Sequence, residues 1–168
     1  MLKGLLENKT CAACRICCGF DSTDLWEMPV MTGETAQKLR ELKPDTSFKE
    51  TNGGYVTDAG KLEPDELFFC PALDHEKGCI LGADKPFDCK IWPFRVMETE
   101  DKRFRMITVS PVCPEIYSRP VSQLEEFVHE KLEDTVFEYA QKHPEIIKKY
   151  IEGYPILSIK SASGCTKV

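Results

Sequence analysis

At 168 residues the chain is most simply one domain with a modest core, and a second full domain is not expected. Hydrophobic residues make up 42% and charged residues 30%, which excludes the disordered class, and no apolar run approaches the roughly 18 residues of a transmembrane helix. A net charge of −6, with acids and bases interspersed and no lysine-arginine block, argues against a nucleic-acid partner and leaves a protein or small molecule.

The six residues before Glu7 carry one lysine and a broken trio of leucines, not the apolar core of a secretory signal, so a cytoplasmic chain is expected. Residues 1–20 read as a small irregular loop holding Cys11, Cys14, Cys17 and Cys18, wrapped around whatever is bound. Residues 21–31 read as a short extended segment. Thr32 is placed to cap a helix through Ala36 and Leu39 to Leu42, where Pro44 disfavours continuation. Asn52-Gly53-Gly54 predicts a hairpin turn between residues 47–50 and 55–57.

Residues 64–94 are rich in proline, glycine and cysteine and show no sustained period, so this stretch needs an external staple. A second hairpin is expected from 92–97 and 103–109 across the polar residues 98–102, each strand with one buried face. Ser122 to Glu125 reads as a capping box. Leu124, Phe127, Val128, Leu132, Val136 and Tyr139 follow at helical spacing, predicting a helix over 122–141. Pro144 opens an expected shorter helix to Ile151, and the tail 161–168 is expected to fray. The whole is an α+β fold, a small single domain over 1–168. It comprises a cysteine-cluster core at 11–114, short hairpins, and a C-terminal helical segment at 115–160 packed against that core.

The cysteines carry the chemistry. A C-x-x-C-x-x-C-C run occupies 11–18, with Cys70, Cys79, Cys89 and Cys113 beyond it and Cys165 isolated near the end. Thiols this dense are oxidised to disulfides or bound to a soft metal. A reducing compartment disfavours disulfides, and nine cysteines leave at least one unpaired under a pure disulfide scheme. Three cysteines spaced by two, with remote Cys-Pro pairs at Cys70-Pro71 and Cys113-Pro114, match iron-sulfur ligation. Zinc remains the alternative, although no second short pair exists. Cys17 and Cys18 are adjacent and point to different sides, so Cys18 faces a second site or is a buried bystander. His75 reads as a solvated loop histidine, and His129 and His143 as structural or surface residues. Arg15, Lys90, Arg95 and Arg119 flank cysteines as surface charges or as tuning cations.

Taken with Cys70-Pro71-Ala72-Leu73, Gly78-Cys79-Ile80, Lys85-Pro86-Phe87-Asp88-Cys89 and Trp92-Pro93-Phe94, the run at 11–18 resembles the zinc- or iron-chelating CxxCxxCC family. That family includes the flagellin lysine N-methylases. The resemblance covers roughly 11–114 and implies that Cys11, Cys14, Cys17, Cys18, Cys70, Cys79, Cys89 and Cys113 all bind metal. The sequence departs from the family at Lys90 and at Ile91-Trp92, neither a presumptive ligand. Three readings stand. The first is a protein with one or two [4Fe-4S] clusters for electron transfer, metal handling or redox sensing. The second is a cluster-dependent group transferase with S-adenosylmethionine at an open iron, against which no glycine-rich nucleotide turn is found. The third is a structural zinc protein acting as a binding module.

Overall fold

The cysteine-rich N-terminus is helical where an irregular loop is expected. In the computed structural model, which describes residues 1–6 and 8–162, helix α1 spans Asn8–Cys14. Ala12 and Ala13 favour it. The Arg15 amide closes its last turn onto the Cys11 carbonyl at 3.1 Å. Arg15 then takes the left-handed conformation, φ 59°, and stops the helix. A 3-10 turn at Ile16–Cys18 leads into strand β1, Gly19–Phe20.

Residues 21–31 are not simply extended. Asp21 Oδ1 accepts from the amides of Thr23 (2.6 Å) and Asp24 (3.1 Å), and a 3-10 turn follows at Leu25–Glu27. Helix α2, Gly33–Leu42, is capped as its sequence requires, with Thr32 Oγ1 accepting from the Thr35 amide at 3.2 Å. The expected hairpin forms from β2, Phe48–Thr51, and β3, Gly54–Thr57. Arg40 lays its guanidinium 4.6 Å from the Phe48 ring centroid, tying α2 to the hairpin.

Gly54 is required by space. A Cβ there would stand 2.7 Å from the Met31 carbonyl oxygen and 2.7 Å from Val30 Cγ1. Gly54→Ala should therefore lower stability by about 1–3 kcal/mol, the usual cost of overpacking, as read by denaturant unfolding.

Two compact units make up the chain, Leu2–Lys90, and Ile91–Val168 with Met1. In the first, Met31, Ala36, Leu39, Ala72 and Leu81 form a small buried core. Its remaining regular structure is short: β4 at Phe68–Phe69, β5 at Leu73–Asp74, β6 at Gly78–Cys79, a 3-10 turn at Gly82–Asp84 and helix α3 at Phe87–Ile91. β1 pairs antiparallel with β4, and β5 with β6.

The second unit is built on a four-stranded sheet in the order β10-β8-β7-β9. Its centre is the predicted hairpin, β7 at Phe94–Glu98 and β8 at Phe104–Val109. Phe94 to Met97 and Met106 to Val109 are buried without alternation, so these central strands have two buried faces where one is expected. A short helix α4 spans Pro114–Tyr117, and α5 spans Val121–Phe127. Pro120, not a capping box, stands at the N-cap of α5, because its fixed φ suits that position and Ser122 falls inside the first turn. A π-turn at Val128–Leu132 joins α5 to α6, Glu133–Lys142. Of the predicted apolar stripe, Leu124, Val128, Leu132 and Val136 are buried, and Phe127 and Tyr139 are half-buried.

The expected helix at 144–151 is instead a single 3-10 turn, Pro144–Ile146, followed by β9, Lys148–Lys149, parallel to β7. Strand β10, Ile156–Ser161, replaces the end of the segment expected to be helical and takes in Ser161, the first residue of the expected tail. Its register shifts between Ile156 and Ser158, burying both Leu157 and Ser158 and hiding the period-two signal. The expectation of a frayed tail, including Cys165, falls almost wholly outside the described residues. Among the described residues no helix is long and apolar enough to cross a membrane. Helices and sheets together agree with the α+β expectation.

Candidate metal centre

Cys11 and Cys14 stand three apart on α1 and so share one helix face, both exposed. The left-handed Arg15 redirects the chain, and Cys17 and Cys18 follow in the 3-10 turn, both half-buried. The Arg15 side chain turns back on this arm: Nε donates to the Ala12 carbonyl at 3.2 Å, and Nη1 donates to His75 Nδ1 at 3.1 Å.

A second arm meets the first from far along the sequence. The β1–β4 ladder places Gly19 opposite Phe69, and the Cys70 amide extends it by donating to the Cys18 carbonyl at 2.7 Å. The β5–β6 hairpin carries Cys79, paired with Leu73. Before it Gly78 takes φ +83°, and a Cβ there would sit 3.4 Å from Ala12 Cβ, so the hairpin lies close against α1. Cys70 and Cys79 both pack on the buried cluster around Leu39 and Ala72. Burial pushes the Cys70 thiol up to about 11, with the Ala72 amide pulling the other way and the neighbouring Cys79 and Cys17 adding to the rise. Such a thiol is inert as a nucleophile, and its proton is displaced only by a strong Lewis acid such as a bound metal.

Cys89 is half-buried on α3. The adjacent Asp88 is buried, and its Oδ2 accepts from the Val30 amide at 3.2 Å, which fixes α3 in the first unit. Cys113, in the second unit, is buried at the N-cap of α4.

All eight described cysteines are free of disulfides. Their chemistry fits a thiophilic centre, zinc or iron-sulfur, better than a hard cation. Among the described residues, no group of three or more His, Cys, Asp or Glu side chains is drawn in closely enough to hold a metal ion. The fold thus brings Cys17, Cys18, Cys70 and Cys79 into one neighbourhood without closing a coordination sphere.

Of the flanking residues the three histidines stand as expected, and Arg95 differs from a surface charge. His75 is exposed, as a loop histidine should be, but engaged by Arg15 and edge-on to Phe69 with ring centroids 6.1 Å apart. His129 pairs with Glu133 at 2.7 Å, and His143 pairs with Glu145 at 2.9 Å while stacking on Tyr139, the structural roles expected of them. Arg95 is no surface charge: it is buried, its guanidinium 4.7 Å from the Trp92 ring centroid. The Arg15–His75 pair has no signature in the sequence, since neither a left-handed arginine nor a partner sixty positions away leaves a local pattern. Comparison with protein-family models, with curated proteins and with solved structures gave no match.

Proposed function

We propose that the chain is a cysteine-ligated metal protein carrying one or two [4Fe-4S] clusters, in electron transfer, metal handling or redox sensing. The observation that supports this reading is the meeting of Cys17 and Cys18 with Cys70 and Cys79, delivered by two separate segments and none of them in a disulfide. The resemblance to the CxxCxxCC family points the same way. In the first unit the residues that would hold metal are Cys11, Cys14, Cys17, Cys18, Cys70, Cys79 and Cys89. A bound cluster supplies one-electron chemistry. The protein's own part is to present soft donors, to keep water from Cys70 and Cys79 by packing them on the apolar core, and to set the Arg15 cation beside an anionic centre.

Cys18 and Cys165 separate a built ligand set from mere abundance of cysteine. Cys18→Ser should remove about half of the bound metal and labile sulfide if two centres exist, because Cys17 and its adjacent neighbour point to different sites. Cys165→Ser should leave the content unchanged. Metal and sulfide analysis of both variants, purified without oxygen, reads the difference. Equal losses in the two, or no loss in Cys18→Ser, would overturn the two-centre assignment.

A further inference from the structure

Cys11 and Cys14 are the two exposed thiols among the eight described cysteines, and they share one face of α1. Exposure puts them first in line for oxidation. Side chains three apart on a helix have Cβ atoms about 5–6 Å apart, and a disulfide draws that separation to about 3.5–4.5 Å. Only the final turn of α1 has to tighten. Cys14 is the last residue of the helix, the Arg15 amide bonds the Cys11 carbonyl at 3.1 Å, and Arg15 has already left the helix at φ 59°. The other thiols are worse placed. Cys17 and Cys18 are half-buried neighbours whose Cα atoms, about 3.8 Å apart across one peptide, fall below the roughly 4.4–6.8 Å that a disulfide spans. Burial keeps the Cys70 thiol protonated.

The same turn is tied to the β5–β6 hairpin at two points. Ala12, between the two cysteines, meets Gly78, where a Cβ would stand 3.4 Å from the Ala12 Cβ. The Ala12 carbonyl accepts from Arg15 Nε at 3.2 Å, and Arg15 Nη1 reaches His75, in the turn between β5 and β6, at 3.1 Å. We propose that Cys11 and Cys14 are a reversible thiol switch whose reactant is a low-molecular-weight disulfide of the glutathione kind. One cysteine thiolate attacks the glutathione disulfide and joins one of its sulfurs, expelling the other as a glutathione thiolate. The second cysteine thiolate then attacks the protein sulfur and expels the remaining glutathione. Two protons and two electrons leave the dithiol, and two glutathione thiols are the products. Drawing the helical pair together strains the new bond and makes it easy to reduce again, as a regulatory disulfide in a reducing compartment must be. The step needs no metal. Where a metal is bound, oxidation takes both thiols from its donor set.

The full chain, purified without oxygen, is treated with oxidised glutathione, its remaining thiols are alkylated, and its tryptic peptides are mapped by mass without reductant. Residues 10–15 form a tryptic peptide that contains Cys11, Cys14 and no other cysteine. That peptide should lose two hydrogens about tenfold or more faster than the peptides of Cys70 and Cys79 react, and excess reduced glutathione should restore it. Cys14→Ser should stop at a glutathione adduct on Cys11. Amide exchange over 73–79 should change about threefold or more when the parent is oxidised, because α1 and the hairpin are tied. An unreactive 10–15 peptide, glutathione retained on both cysteines, links from this peptide to Cys17, Cys18, Cys70 or Cys79, a product that reduced glutathione does not reverse, or unchanged exchange over 73–79 would each overturn the switch. Metal and labile sulfide are counted in the same samples. A link formed in protein that holds no metal would leave the switch standing and defeat the cluster reading, whereas a loaded cluster with an unreactive 10–15 peptide would do the reverse.

Discussion

Removing the metal from anaerobically purified protein should erase slow amide exchange across residues 64–90 while leaving β7, β8 and the helices of 121–142 protected. The two regions differ in what holds them. Between 64 and 90 the regular structure amounts to three strands of two residues, one 3-10 turn and the start of a five-residue helix. Two-stranded pieces of that length are marginal in water by themselves. From this stretch Ala72 and Leu81 enter the first unit's buried cluster, with Cys70, Cys79 and Ile80 half-buried against it. In the second unit the fully buried Phe94, Met97, Met106, Ile107, Leu132 and Val136 join a four-stranded sheet and a helical pair. A structural metal contributes about 10 kcal/mol or more of apparent binding free energy, enough to decide whether so thin a region is ordered. Hydrogen exchange followed by mass spectrometry resolves the two regions. Unchanged protection over 64–90 in the stripped protein would refute the coupling of metal to fold.

Cys11→Ser and Cys14→Ser should each lose most of the metal of one centre, although neither side chain is buried. Both thiols are exposed on α1, and a surface substitution away from special features changes stability by about 0.5 kcal/mol or less. A serine hydroxyl is also a far poorer ligand than a thiolate for iron or zinc. Loss of metal from these variants therefore reports ligation and not unfolding, a separation that Cys70 and Cys79 cannot offer because they also pack on the core. Iron and zinc analysis beside a thermal melt reads both quantities. Full metal content in both variants would remove Cys11 and Cys14 from the ligand set and leave the centre to the residues around Cys70.

Local signals account for what the sequence made legible. The Thr32 cap and the Asn52-Gly53-Gly54 turn each act within a few residues, and α2 and the β2–β3 hairpin stand where those signals put them. The stripe Leu124, Val128, Leu132, Val136 survives even a π-turn, because burial on one helix face tolerates a local change of pitch. Long-range pairing accounts for what was hidden. β10 joins β8 across a bulge that places two adjacent residues inside, and β9 is two residues long. The helix beneath Cys11 and Cys14 was masked by cysteine density, which reads as loop even where Ala12 and Ala13 favour helix. For the site, the eight cysteines are plain in the sequence. That the Cys70 amide would bond the Cys18 carbonyl, or that Gly78 would let β6 rest on Ala12, follows from tertiary closure alone.

The central claim is that these thiols hold an iron-sulfur centre, and the most direct measurement is iron, zinc and acid-labile sulfide per chain, with an absorption spectrum before and after dithionite, on protein purified without oxygen. The account predicts brown protein whose visible absorption bleaches on reduction, with iron and sulfide in equal amounts at about four or eight per chain. Colourless protein with stoichiometric zinc and no sulfide would contradict it and give the chain to the zinc-module reading, and protein that folds fully with no metal at all would contradict both.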